Sequence, residues 1–139
     1  MKHNKKPPSS IGGGSVQKVK RGAIKMGLDQ YAYIKRKQER LNPKLLQEFM
    51  YFRKNRHLED YMANIWYNRG NEEDFNCQYL VLEKKDLENL TKDNLNDEAS
   101  GFFWGSHTLE DDWEEILEFK KKALELMDKG FEIVYSSWW

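Results

Sequence analysis

The stretch that decides the fold runs from Asn42 to Gly70, "NPKLLQEFMYFRKNRHLEDYMANIWYNRG". Asn42 followed by Pro43 is a helix start, and Gly70 is a helix stop, the usual asymmetry of helix boundaries. The spacing therefore predicts one long helix. Its apolar stripe changes sides, however: Leu45, Leu46, Phe49 and Phe52 share one side, while Leu58, Tyr61, Met62 and Ile65 lie nearly opposite at about 100° per residue. The switch falls at "RKNRH", Arg53 to His57. Either the helix breaks there, or it is covered on one side by its own domain and on the other by something else. The second alternative is the expectation here, and a homo-oligomer follows from it, because a helix that is apolar all round is normally buried all round.

Outward from this stretch, the other elements are shorter. "GAIKMGLDQYAYIKRK" suits either an extended strand or a short helix. "NCQYLVLEKKDLENL" reads as a strand, Gln78 to Leu82, then a short helix with Leu87 and Leu90 on one side. "TKDNLNDEAS" has the composition of a loop, with Leu95 its one large apolar residue. "TLEDDWEEILEFKKKALELMDKG" predicts a helix capped by Thr108, with Asp111 completing a capping box, acids in the first turn and Gly130 at the end. Leu109, Trp113, Ile116, Leu117, Ala123, Leu124 and Met127 share its face. "FEIVYSSWW" alternates Phe131, Ile133 and Tyr135 with Glu132, Val134 and Ser136, the period of a strand with one face on a core. The order of elements implies an α+β fold, a small antiparallel sheet packed with three main helices.

The chain has 139 residues, enough for one such domain, assigned here to residues 18–139. Residues 1–17 combine prolines, serines and glycines with almost nothing to bury, which predicts a disordered basic leader. Charge is uneven. Seven basic and no acidic residues occupy positions 1–28, leaving 16 basic against 23 acidic residues beyond them, a formal charge of −7. The basic tail could hold nucleic acid or the acidic body, but no aromatic residue is interleaved with its lysines as in a single-strand binder. Mean hydropathy is −0.92, and no apolar run approaches the roughly 20 residues of a membrane span. No secretory signal precedes the domain and Cys77 has no second cysteine to pair with, so the expected setting is the cytoplasm, without a membrane partner.

Catalytic chemistry finds little support. Glu110, Asp111, Asp112, Glu114 and Glu115 could hold a divalent cation for hydrolysis, but acids at a helix start are already favoured by its dipole, and at most they flank the apolar face. Cys77, His57 and His107 match no zinc spacing. Phosphate loop, nucleophile elbow and dinucleotide fingerprint are absent from the sequence, and no cofactor or metal is expected. Binding chemistry remains. Arg53, Lys54 and Arg56, with His57 beside them, could grip phosphate through charge-assisted hydrogen bonds. "SGFFWGS" and "SSWW" set aromatic planes beside hydroxyls. Phe103, Trp104, Trp138 and Trp139 with Ser136 and Ser137 are candidates to stack and hydrogen-bond a base, and Tyr61 is added from the helix. Phe102 and Phe103 equally suit the core, which leaves Trp104 to face a partner.

Four blocks in order, "YFRKNRHLEDYMANIW", "FNCQYLVLEKKDLENL", "SGFFWG" and "GFEIVYSSWW", resemble a family of small uncharacterised proteins of tailed phages and prophages. The likeness covers Tyr51 to Trp139. The family's blocks fall on Arg53, Lys54, Leu58, Tyr61 and Met62, on Phe75, Asn76 and Cys77, on Gly101 to Gly105, and on Ser136 to Trp139. Tyr61 stands where the family often has Trp, and Trp104 where it often has Phe. The resemblance implies a phage accessory protein acting in the host cytoplasm by binding, with a counter-defence inhibitor that sequesters a nucleotide signal as the expectation. The alternatives are a module that docks on a host enzyme or nuclease and, last, a small metal-dependent hydrolase.

Overall fold

A computed structural model describes residues 27–97 and 107–139. The expected leader 1–17, and the stretch with Phe102, Phe103 and Trp104, lie outside the described residues.

The fold is α+β: among the described residues, a four-stranded antiparallel sheet with three α-helices. Its strands are β1 (Asp29–Arg36), β2 (Gln47–Arg53), β3 (Tyr79–Leu82) and β4 (Phe131–Trp138), in the order β2-β1-β4-β3. The helices are α1 (Arg56–Asn68), α2 (Lys84–Glu88) and α3 (Leu109–Asp128), and α3 packs on β4, α1 and α2.

The long helix from Asn42 to Gly70 does not form, and the structure takes the first alternative, a break. Asn42 does cap, its side chain accepting from Lys44 N–H, but what it starts is one 3-10 turn, Pro43–Leu45. The chain then runs extended as β2 and turns sharply at Lys54, whose φ is +61°. Asn55 starts α1 by accepting a hydrogen bond from Leu58 N–H at 3.0 Å. The change of apolar side at "RKNRH" is thus a strand-to-helix corner, and the argument from a two-faced helix to an oligomer loses its basis. Gly70, with φ +89°, still marks the helix end, in a conformation that suits a residue without Cβ.

The undecided segment becomes β1. The short strand is Tyr79–Leu82, α2 buries Leu87, and Leu90 is buried just beyond the end of that helix. On α3 the Thr108 cap holds, accepting from Asp111 N–H at 3.1 Å. Two positions differ from the expected face. Phe119 is fully buried and Asp112 is buried, so one of the five acids lies inside. β4 was expected to cover a core on one face, but Ile133 through Ser137 are all buried, because β4 is central and packed on both sides.

The inner face of the sheet, under α1 and α3, carries Ala32, Phe52, Leu80, Leu82, Ile133 and Tyr135 against Leu58, Met62, Ile116 and Phe119. The outer face gathers Tyr31, Tyr33 and Val134, with Leu46, Tyr79, Val81 and Trp138 against them.

Candidate functional site

Two polar sites share the sheet, one on each face. On the inner face α1 brings Glu59 over β4, where its Oε1 accepts from Tyr135 OH at 2.6 Å and its Oε2 from Ser137 Oγ at 2.9 Å. Gln30 of β1 extends the chain of bonds, its Nε2 donating to Tyr135 OH at 2.8 Å and to the Asn55 carbonyl at 2.9 Å. Its Oε1 accepts from Asn55 N–H at 2.8 Å. Asn55 Nδ2 then donates to Glu115 Oε1 at 2.9 Å and to the Asp112 carbonyl at 3.3 Å. Burial pushes the Glu59 carboxyl up to about 7, against the opposing pull of the two hydroxyls. Glu59 is completely enclosed and both of its carboxylate oxygens are taken up by hydroxyls of β4, so its part is structural.

Next to this network Asp112 holds two imidazoles. Its Oδ2 is 2.7 Å from Nδ1 of the buried His57 and its Oδ1 is 3.2 Å from Nδ1 of the exposed His107. His57 Nε2 has no hydrogen-bond partner among the described residues, and Asp97 Oδ1 stands 3.7 Å from it. An open cleft of about 440 Å³ lies outside, lined by Arg53, His107, Asp111, Asp112, Glu114, Glu115 and Glu118. Asp112 and Glu115 are occupied by imidazole and amide partners, and among the described residues no group of three or more His, Cys, Asp or Glu side chains is placed to hold a metal ion.

The outer face is aromatic. Tyr31 and Tyr33 alternate on β1 and stack with centroids 6.2 Å apart. Tyr51 of β2 packs on Tyr31 at 5.4 Å and Tyr79 of β3 on Tyr33 at 6.1 Å, so the rings form a row across the strands, with Trp138 of β4 against them. Within this face Tyr33 OH, Ser136 Oγ and Trp138 Nε1 are buried and have no hydrogen-bond partner among the described residues. Three such groups on one face stand apart from the ordinary pattern, since buried polar atoms are nearly always paired.

The residues expected at a site are distributed as follows. Arg53 has Asp29 Oδ1 at 3.7 Å and faces the acidic cleft. Lys54 forms the corner, and Arg56 Nε donates to the His107 carbonyl at 2.9 Å. His57 is bound to Asp112, and Tyr61 OH donates to the Asp86 carbonyl at 2.6 Å, tying α1 to α2. Neighbours in sequence, Ser136 and Ser137 point to opposite faces: Ser136 to the outer face, Ser137 to Glu59. Trp138 joins the outer row and Trp139 packs on the inner core. Phe103 and Trp104 lie outside the described residues.

Two of the sequence blocks dock on each other. Asn76 Nδ2 donates to the Trp139 carbonyl and its Oδ1 accepts from Trp139 N–H, both at 2.9 Å. Cys77 N–H donates to the Ser137 carbonyl at 2.8 Å, from a backbone with φ +70°. "FNC" is therefore a clamp on the end of β4. The residues that sequence reasoning missed are Gln30, Tyr31, Tyr33, Tyr79 and Glu59. The period-two spacing of Tyr31 and Tyr33 was a usable signal for the outer row, whereas Glu59 carried none.

No protein-family model, curated protein or solved structure matches the chain.

Proposed function

We propose that the protein is a non-enzymatic binding protein that takes a nucleobase-bearing ligand onto the outer face of its sheet. The observation that carries this reading is the trio of unpartnered polar groups, Tyr33 OH, Ser136 Oγ and Trp138 Nε1, set among a row of aromatic rings. Leaving a buried polar atom unpaired costs roughly 1 to 3 kcal/mol, and a base edge offers donors and acceptors that relieve that cost. A phenol and a hydroxyl can give or take a hydrogen bond, and an indole can only give one. Stacking on an aromatic ring adds about 1 to 3 kcal/mol per base. Arg53, beside Tyr51 on β2, is the cation placed to meet a phosphate, once it exchanges Asp29 for it. In the setting that the resemblance to phage proteins implies, the ligand is a nucleotide signal of the bacterial host, and binding withdraws it.

Native mass spectrometry with a mixed pool of cyclic and linear nucleotides tests this. A discrete nucleotide mass on wild-type protein, lost in Tyr33→Phe and Trp138→Phe, is expected. Wild-type protein that takes up nothing from the pool overturns it.

A second reading draws on the cleft beside α3. Its carboxylates suit a basic protein surface, such as that of a host nuclease, and a complex that dissolves with added salt would support it.

A further inference from the structure

We propose that β2 is a two-fold interface, on which a second copy of this chain adds its own β2 antiparallel to the first. This goes beyond the ligand reading and does not depend on it.

Among the described residues the sheet ends at β2, which pairs only with β1 and is therefore an edge strand. Edge strands present unpaired N–H and C=O groups, which either are guarded or recruit another strand. The apolar surface points to recruitment. Of the four large apolar side chains exposed among the described residues, Tyr51 lies on β2, and Leu41 and Leu45 lie just before it.

Register decides which strand fits. β2 contains an irregularity: Ala32 pairs with Met50, and Tyr33 with Glu48, so Phe49 is extra. Tyr33, Tyr31 and Asp29 all lie on the outer face of β1, and they pair with Glu48, Tyr51 and Arg53. The extra residue thus leaves these three evenly spaced, with Tyr51 in the middle. A two-fold axis through Tyr51 exchanges the ends. It sets Arg53 of each copy opposite Glu48 of the other, on the same face, twice, with the two Tyr51 rings side by side. Opposite charges directly across an antiparallel pair attract, and like charges repel. The strand is therefore complementary to itself in this register. The outer aromatic rows of both copies would join across eight strands.

Sedimentation of the full chain tests the assignment. Wild-type protein is expected to dimerise. Glu48→Arg faces two arginines against two, and Arg53→Glu faces two glutamates against two, so each single variant should dissociate roughly tenfold or more readily. Mixed in equal amounts, the two variants are complementary again, and a one-to-one heterodimer should form. A wild-type monomer at every concentration overturns the proposal, as does a dimer indifferent to both swaps, or folded variants that fail to pair when mixed. Should either variant fail to fold, hydrogen exchange of wild-type protein decides. Amides of residues 47–53 that slow with concentration support the interface, and amides that do not change refute it.

Discussion

Tyr33 and Tyr135 are both buried tyrosines on neighbouring central strands, yet they point to opposite faces of the sheet and meet opposite fates. On the inner face the hydroxyl of Tyr135 donates to Glu59 and accepts from Gln30, inside a network that runs on to Asn55 and Glu115. On the outer face the hydroxyl of Tyr33 meets no partner among the described residues, nor do the Ser136 hydroxyl and the Trp138 indole N–H beside it. Satisfied networks specify and rigidify a fold, and unsatisfied ones mark a place where the molecule is incomplete by itself. The inner face explains why the chain folds, and the outer face is the one on which we propose that it binds.

The contrast can be broken most forcefully at Asn55. Asn55→Ala removes the α1 cap and the bonds to Glu115 and the Asp112 carbonyl, and should cost about 3 kcal/mol in chemical denaturation. A loss below about 1 kcal/mol would show that the inner network is not what holds α1 to α3.

Glu59 gives the next effect, through pH. Its folded carboxyl titrates near 7 and its unfolded one near the ordinary carboxylate value. The raised value means that the folded state favours the protonated form. That contribution is complete below the unfolded value and is lost as pH rises through about 7. Wild-type stability should therefore fall by about 3 kcal/mol between roughly pH 5 and pH 8. Glu59→Gln, with Oε1 accepting from Tyr135 and Nε2 donating to Ser137, should flatten that slope. An unchanged slope would place its origin elsewhere.

The paired tyrosines sharpen the comparison directly. Tyr135→Phe takes a donor from Glu59 and should cost about 2 kcal/mol. Tyr33→Phe, smallest of all, removes an unpaired group and should leave stability within about 0.5 kcal/mol or raise it slightly. Thermal melts of both variants side by side, without ligand, check the pair. Equal losses would erase the difference between the faces.

The sequence showed some of this and concealed some. α3, its Thr108 cap and the strand nature of 131–138 were legible, because the first carries a clear helical period with start and stop signals, and the last a clean alternation. β2 was concealed by its irregularity. Phe49, Met50 and Phe52 all pack on the inner core, so the period-two signal is lost and "LLQEFMYF" reads as helix. Asp112 was hidden within a run of acids that the helix dipole already explained. Glu59, one acid among polar neighbours on α1, gave no sign of burial, since only the approach of β4 encloses it. The aromatic row was half legible. Tyr31 and Tyr33 alternate visibly, but that Tyr51, Tyr79 and Trp138 join them depends on the strand order.

That strand order also bears on how the protein is made. β1 emerges from the ribosome first, yet both its central hydrogen-bonding partner and the Tyr135 hydroxyl that Gln30 contacts lie at the far end of the described chain, a separation of 105 residues. Loop closure over such a distance must precede any gain from the contact. β1 with β2 is at most a hairpin until β4 appears, so the sheet closes as a nearly all-or-none event only once β4 has been made, and shortening β4 would leave nascent chains with an open central edge.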